Sequence, residues 1–150
     1  MSFIGTLLKR QESHPNIQFI KTTDSGVIPT KTNDSDAGYD LYALKDYCIA
    51  SRESKLIYTN IQVKFPKGYC AVVHGRSGLA ARHSILAHTG IIDYGYEGEI
   101  GVILFNLSKE NYKILKGDRI GQIVVSKIFP PPENCENTKR AKRGFGSSGK

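Results

Sequence analysis

Residues 55–65 read KLIYTNIQVKF, two short apolar runs separated by Thr59 and Asn60. Branched and aromatic side chains dominate both runs, and side chains of this kind fit the pleated, half-buried surface of a sheet. Four further segments have a similar length and composition, and Gly, Asn, Asp, Ser or Pro punctuates the chain between them. They are NIQFIKT (16–22), YCAVVHG (69–75), IGVILFNLS (100–108) and RIGQIVVSKIF (119–129). The chain is therefore predicted to fold mainly as short strands.

A single stretch of the chain has helical spacing instead. In SGLAARHSILA, residues 77–87, the side chains of Leu79, His83 and Leu86 recur three or four positions apart, as they do on one face of a helix. Many short strands with one small helix predict an all-β fold, which could be a sandwich, a jelly roll or a barrel.

Composition divides the 150 residues into one domain with an arm at each end. Residues 1–16 are an apolar patch followed by charged residues, and we expect an N-terminal arm there. Residues 17–129 carry the strand signals and are long enough to bury a core. Residues 130–150 begin with prolines, contain five basic residues and offer little to bury. We expect this C-terminal arm to be flexible until it meets a ligand or a partner.

Charge and cysteine content narrow the class of protein. A formal net charge of +7 and a pI near 9.3 favour anionic partners such as phosphates, nucleotides or nucleic acid. The three cysteines are odd in number and form no CxxC pair, which indicates a reducing compartment rather than a disulfide framework. No apolar run approaches the roughly 18 residues of a membrane span. We therefore expect an intracellular protein, cytoplasmic or nuclear, with no membrane partner.

Five stretches combine glycine with polar side chains in a way that suits a ligand site. They are DAGYDLYA (36–43), GRSGLA (75–80), GIIDYGYEGEI (90–100), GDRIGQ (117–122) and RGFGSSG (143–149). Taken one at a time, most of these stretches have a purely structural explanation. Ser77 could cap a helix, and Asp118 and Arg119 could pair to fix a turn. The last stretch could belong to a disordered basic tail. Gln122 is more informative, because an amide near the start of a buried strand must find hydrogen-bond partners.

Taken together and in this order, the five stretches resemble the motifs of the trimeric deoxyuridine triphosphatases, the dUTPases. The resemblance runs from about residue 17 to residue 149. It implies a jelly-roll-like β-barrel with one short helix, in a homotrimer whose subunits exchange C-terminal arms and share three active sites. The implied reaction converts dUTP to dUMP and pyrophosphate, with water attacking the α-phosphorus and Mg²⁺ required.

The resemblance also implies roles for the stretch at residues 90–100. Asp93 would be the base that deprotonates the attacking water, and Gln122 would help to hold that water. Tyr96 would pack under the sugar and occupy the place of a 2′-hydroxyl, which selects deoxyribose. The stretch itself would be a β-hairpin whose backbone binds the edge of uracil. The substrate contacts implied along it are those of Gly90, Ile92 and Gly101.

Roles on the phosphate side follow from the same resemblance. Arg76, Ser77 and Gly78 would contact the phosphates, while Mg²⁺ would sit on the triphosphate and meet Asp40 only through water. A neighbouring subunit would bring the arginine of its C-terminal arm to the γ-phosphate, a phenylalanine over the uracil, and a Gly-Ser-Ser segment to the phosphates. These arm residues are Arg140, Phe145, Gly146, Ser147 and Ser148. Because Ala141 and Arg143 stand where the family has glycines, the register leaves open whether Arg140 or Arg143 meets the γ-phosphate.

Two rival functions fit the sequence less well. Deoxycytidine triphosphate deaminases share the fold, but the place of their catalytic glutamate falls here at Ile103, whose apolar side chain cannot transfer a proton. A non-catalytic basic module that binds nucleic acid or a protein would explain the net charge of +7. It would not explain Asp93, Gln122 or the glycine-rich stretch between strands. No specific nucleic-acid binding is therefore expected.

Overall fold

The structure, a computed structural model, describes residues 15–129 and contains eleven strands and one helix in that range. The expected all-β fold with one short helix is confirmed. The elements in chain order are β1 Gln18–Lys21, β2 Tyr39–Tyr42, β3 Tyr47–Ile49, β4 Ser54–Tyr58, β5 Ile61–Lys64, β6 Tyr69–His74, α1 Ser77–His83, β7 Ile85–Ala87, β8 Gly90–Ile92, β9 Gly101–Asn106, β10 Tyr112–Ile114 and β11 Arg119–Lys127.

Antiparallel pairing organises the strands into four small sheets. A four-stranded sheet has the order β2-β11-β6-β8, and a three-stranded sheet has the order β4-β9-β7. Two further pairs, β1 with β5 and β10 with β3, complete the set. Nearly all neighbours in these sheets are distant in the sequence, so long-range pairing rather than local hairpins holds the fold together.

The core lies between these sheets and follows the alternation of the strands. On β9 the side chains of Val102, Leu104 and Asn106 point inward and are buried, whereas Phe105 between them is exposed. On β11 a register irregularity between Arg119 and Gly121 adds one residue to the strand. The large side chains buried almost completely are Leu41, Ile49, Ile57, Ile61, Ile85, Ile100, Leu104, Ile114, Ile120 and Ile123.

One buried amide ties three parts of the chain to each other. Asn106 is 0% exposed, and its Nδ2 atom donates to the carbonyl oxygens of Ile49 at 3.0 Å and Glu110 at 2.7 Å. Its Oδ1 atom accepts from both the backbone N–H and the hydroxyl of Ser108. The side chain is thus fully used, as a polar group inside a core must be.

The helix is shorter than the sequence pattern predicts. It ends at His83, after which Ser84 adopts a left-handed backbone (φ 56°) and donates its N–H to the carbonyl of Ala80. The prediction is wrong for the final four residues, since Ile85–Ala87 pairs with β9 and Leu86 faces Phe105 across that ladder. Throughout residues 15–129, no helix is long and apolar enough to cross a membrane.

Candidate functional site

The β2 and β11 strands and the β6–α1 connection line an open cleft of about 400 Å³. Three of the five glycine-containing stretches meet there, although up to 86 residues of sequence separate them (Asp36 to Gln122). Polar side chains dominate the lining, and they include Thr32, Asp36, Asp40, Arg76, Ser77 and Gln122. A polar cleft with two positive charges nearby suits a phosphorylated ligand.

Asp40 is the centre of the charge network in this cleft. Its Oδ1 atom lies 3.2 Å from Nε of Arg76, and its Oδ2 atom lies 3.1 Å from Nη1 of Arg119. The Asp40 side chain is only 13% exposed, so the two ion pairs are partly shielded from water. Arg119 also donates to the hydroxyl of Thr32 at 3.3 Å. The carboxylate therefore fixes the positions of Arg76, which lines the cleft, and of Arg119 on its other side.

This network corrects two interpretations of the sequence. Arg119 pairs with Asp40 rather than with its neighbour Asp118, whose Oδ2 atom instead accepts the N–H of Leu115 at 2.8 Å. The position before α1 is occupied by Arg76, which makes no side-chain cap hydrogen bond, so Ser77 is not the helix cap. Ser77 is the first helical residue, and its exposed side chain lines the cleft.

Gln122 behaves as an amide in a buried strand must. Its Nε2 atom donates to the carbonyl oxygen of Gly75 at 3.1 Å, which confirms that it finds a backbone partner. On the opposite side it packs against Gly38, where an added Cβ would lie 2.4 Å from Oε1 of Gln122. Gly38 is therefore glycine because the amide needs that space. The carbonyl of Gly75 and the backbone of Gly38 thus hold the side-chain amide of Gln122 at the cleft wall.

Asp93 and Tyr96 lie on the connection between β8 and β9. A turn forms there, with the N–H of Tyr96 donating to the carbonyl of Asp93 at 3.2 Å and Gly95 at a φ of +82°. The expected hairpin is wrong, because β8 pairs with β6 while β9 pairs with β4 and β7. Each strand already has partners in a separate sheet, so the stretch passes between two sheets.

Within one chain the two halves of the predicted site are apart. The β2 and β8 strands are the opposite edges of one four-stranded sheet, and three interstrand spacings of about 4.8 Å separate them, roughly 14 Å in all. Tyr96 lines a second cleft of about 260 Å³, next to Val63 and Phe65. The structure brings Asp40, Arg76, Ser77, Gly78 and Gln122 together, and it places Tyr96 at a different cleft.

The Tyr96 ring lies against its own loop. An added Cβ at Gly98 would fall 2.2 Å from the hydroxyl oxygen of Tyr96, so the ring occupies the space that a side chain would need. The hydroxyl donates to the carbonyl of Glu99 at 3.4 Å. Burial raises the pKa of the Tyr96 phenol, and the nearby Tyr58 and Glu99 raise it further. The phenol is neutral at physiological pH.

Gly90 differs from Gly98 in its surroundings. Among residues 15–129, no atom lies within 4 Å of a Cβ built on Gly90, and the backbone there is not in the left-handed region. Packing within this part of the chain therefore gives no reason for glycine at the position. Close approach of a ligand to the backbone remains a reason for it. Ile92, on the same strand, is buried in the core.

Residues outside the five glycine-containing stretches hold the β8–β9 connection in place. The N–H of Ile100 donates to the carbonyl of Ile61 at 2.8 Å, and the hydroxyl of Thr59 donates to the carbonyl of Ile100 at 2.9 Å. The amide of Gln62 donates to the carbonyl of Glu97 at 2.5 Å. The only signal for this role in the sequence is the Thr-Asn break between β4 and β5.

The C-terminal residues proposed for the site lie outside the described part of the chain. This applies to Arg140, Phe145, Gly146, Ser147 and Ser148, and to both arms, apart from residues 15 and 16.

Comparison with known proteins identifies related sequences and folds. The sequence profile of the dUTPase family matches residues 24–149. A deoxyuridine 5′-triphosphate nucleotidohydrolase of Rattus norvegicus is 41% identical over 145 residues, which cover 94% of this chain and 71% of that protein. A dUTPase structure from phage phi11 of S. aureus, described with a structural Mg(II) ion, is 24% identical with a TM-score of 0.74 and covers 83% of this chain and 99% of its own. A Staphylococcus bacteriophage 80alpha dUTPase with dUpNHpp is 26% identical with a TM-score of 0.73, covering 89% and 98%.

Proposed function

Because the chain belongs to the dUTPase family, we propose that it hydrolyses dUTP to dUMP and pyrophosphate by attack of water on the α-phosphorus. The observation that carries this proposal is the polar cleft in which Asp40, Arg76 and Gln122 meet from three separate segments. Family membership and cleft chemistry point to the same ligand, a nucleoside triphosphate.

Phosphate binding is assigned to the rim of the cleft. Asp40 holds Arg76 so that its guanidinium is already oriented when the ligand arrives, which lowers the entropy lost on binding. The hydroxyl of Ser77 and the backbone at Gly78 face the same space. Arg140 of the C-terminal arm would add charge at the γ-phosphate, while Gly146, Ser147 and Ser148 would bind phosphate oxygens.

Asp93 and Gln122 would act on the attacking water. Asp93 would accept its proton as oxygen attacks phosphorus, the bond to the bridging oxygen would break, and pyrophosphate would leave with the electron pair of that bond. Gln122 would hold the water through its amide, which the Gly75 carbonyl already orients. Both residues would work by position and charge rather than by forming a covalent intermediate.

The distance between the two halves supports a shared site in a homotrimer. Asp93 follows β8, whereas Asp40 and Gln122 lie on β2 and β11 near the opposite edge of the sheet. One subunit would thus supply the phosphate cleft and a second subunit would supply Asp93 and Tyr96. Closed rotational symmetry then generates identical sites. Arm exchange would bring Phe145 of another subunit over the uracil.

Base and sugar selection are assigned to the β8–β9 stretch. Backbone groups at Gly90, Ile92 and Gly101 would bind the polar edge of uracil. The open space beside Gly90 supports this role. Tyr96 would support the deoxyribose and leave no room for a 2′-hydroxyl.

Mg²⁺ fits this cleft as an ion carried by the substrate. Both carboxylate oxygens of Asp40 are engaged by arginines, and residues 15–129 contain no group of three or more His, Cys, Asp or Glu side chains placed to hold a metal. Mg²⁺ keeps several waters and binds readily to phosphates, so Asp40 would meet it through water. When bound, the ion neutralises negative charge on the triphosphate.

A nucleotide panel tests the proposal. Pyrophosphate release from dUTP, dCTP, dTTP and UTP is measured with and without Mg²⁺. We expect dUTP to be favoured by about 10⁴-fold or more over dCTP, whose base would leave polar groups of the site unpaired. dTTP would be excluded by its methyl group, for which the close backbone leaves no room, and UTP would be excluded by Tyr96. Comparable turnover of dCTP or dTTP would overturn the assignment of uracil to the β8–β9 backbone.

A further inference from the structure

The Tyr96 ring packs directly against the backbone of Gly98. A Cβ built on Gly98 would lie 2.2 Å from the hydroxyl oxygen, 2.3 Å from Cζ and 2.8 Å from Cε2 of Tyr96. All three distances are shorter than the non-bonded contacts that Cβ atoms make in proteins. The missing side chain of Gly98 therefore determines how closely the Tyr96 ring approaches the loop backbone.

The backbone on both sides of Gly98 is held in place. On one side, the carbonyl of Glu97 accepts the amide of Gln62. On the other side, the Glu99 carboxylate accepts the N–H of Asn60, and Ile100 is bonded in both directions to the β4–β5 segment. Asn60 itself adopts a left-handed backbone (φ 53°) and is bonded through Nδ2 to Thr23 and Ser25.

These anchors decide which group moves when Gly98 gains a side chain. A backbone shift would break the hydrogen bonds that Glu97 and Ile100 make with Gln62 and Ile61 of β5. Rotation of the Tyr96 ring would cost the weak 3.4 Å contact to Glu99 and the partial packing of the ring against the core, but no strong hydrogen bond. The ring would therefore leave its position while the loop keeps its path.

We propose that Gly98 is a specificity-determining position. The absence of a side chain there lets the Tyr96 ring lie close to the loop backbone, and in this position the ring excludes a 2′-hydroxyl from the sugar site. This inference rests on the proposed function, in which Tyr96 supports the sugar. Glu99 and Gln62 are positioning residues for the same loop, since they hold its backbone through Asn60 and Glu97. No part of this arrangement requires a contact between Gly98 and the substrate.

The test compares kcat/KM for dUTP and UTP in Gly98→Ala and wild type. We expect the dUTP:UTP ratio to fall by at least about tenfold, as for a site that loses one shape constraint. Gly68→Ala is the matched control, because its φ of +89° makes alanine strained while no atom of the described residues lies within 4 Å of the new Cβ. It should lower stability and leave the ratio unchanged.

A double-mutant cycle separates ring displacement from general damage. In a Tyr96→Ala background, Gly98→Ala has no ring to displace and should leave the dUTP:UTP ratio unchanged. A further fall in that background, or an unchanged ratio in Gly98→Ala alone, would overturn the inference. A wild-type enzyme without preference for dUTP over UTP would instead overturn the sugar role proposed for Tyr96, and this inference with it.

A spectroscopic readout follows the ring directly. Carbon-13 labelled tyrosine would be observed by NMR during an alkaline titration, with the Tyr96 signal assigned from Tyr96→Phe. Burial raises the pKa of this phenol, so release of the ring in Gly98→Ala should lower it toward the ordinary value. An unchanged titration in the variant would show that the ring had not moved.

Discussion

Arg119 lies 3.1 Å from Oδ2 of Asp40 while Arg76 lies 3.2 Å from Oδ1, so a single carboxylate positions two cations from different segments. Arg76 lines the polar cleft, and Arg119 lines a neighbouring pocket that shares Arg76 with it. Removal of the carboxylate charge should free both guanidinium groups without removing them. This relationship gives the first prediction.

Asp40→Asn should raise the KM for dUTP by about tenfold, equivalent to the loss of one charge-assisted hydrogen bond of about 1.4 kcal/mol. The physical reason is that Arg76 must then be ordered by the substrate itself. Steady-state kinetics at saturating Mg²⁺ measure this effect. Asp34→Asn is the control, since Asp34 is exposed and lies outside the residues that line the cleft. Equal KM values for wild type and Asp40→Asn would contradict the prediction.

Asp93→Asn should lower kcat by about 10²–10⁴-fold while substrate affinity changes little. The amide keeps the shape of the side chain but cannot accept the proton of the attacking water. Single-turnover rates and nucleotide binding are measured separately. Near-normal turnover would mean that Asp93 serves only the turn in which its carbonyl accepts the N–H of Tyr96.

Subunit mixing tests whether the site is shared between chains. Asp93→Asn and Arg76→Ala should each be nearly inactive, yet trimers reassembled from an equal mixture should regain about one quarter of wild-type activity. Some sites then receive a native Asp93 from one subunit and a native Arg76 from another. A mixture of Arg76→Ala with Gln122→Ala should regain nothing, because both residues line the same cleft of one chain. Absence of complementation in the first mixture would argue for a site within one chain.

Asn106→Leu should destabilise the fold by about 2–4 kcal/mol, because it leaves buried carbonyl groups without a donor. The carbonyls affected belong to Ile49, Ala50 and Glu110. Denaturant unfolding followed by circular dichroism gives the free energy. The exposed Asn16 provides a control, and Asn16→Leu should change stability by less than about 0.5 kcal/mol. A small effect at Asn106 would show that water replaces the lost donors.

The last prediction concerns the arginines of the C-terminal arm. Arg140→Ala should lower kcat/KM more than Arg143→Ala if the family register applies to this chain. Each residue is compared by steady-state kinetics with dUTP. The reverse order would show that Arg143 meets the γ-phosphate, as a register shifted by the local sequence Arg-Ala-Lys-Arg would require.

The strand content of the fold was predictable because burial and strand alternation leave a local pattern. Segments such as residues 119–129 carry branched and aromatic residues whatever their partners are. The end of the helix was not predictable in this way. Ile85–Ala87 is a strand only because Asn106, Phe105 and Leu104 provide a ladder nearly twenty residues later. The predicted hairpin fails for the same reason, because β8 pairs with β6, which precedes it in the sequence.

The candidate site shows the same division between local and long-range information. Gln122 was recognisable because a polar amide in an apolar strand must be satisfied, and it is bonded to Gly75. The pairing of Asp40 with Arg119 spans 79 residues, and Asp118 offered a nearer partner in the sequence. Thr59 and Gln62 carry no motif at all, because their role is to donate to the backbone of another segment.

The β11 strand is flanked on both sides, by β2 and by β6, and it carries Gln122. Asp93 and Tyr96, by contrast, lie on a connection between sheets. Amide protons of the flanked strand exchange with solvent chiefly when the whole domain opens, whereas those of a connection exchange through local fluctuations. Among the proposed site residues, Gln122 would thus be coupled to global unfolding, and Asp93 and Tyr96 to a subglobal event. On warming, hydrolysis would cease before the fold melts, and recovery on cooling would need only a loop to close.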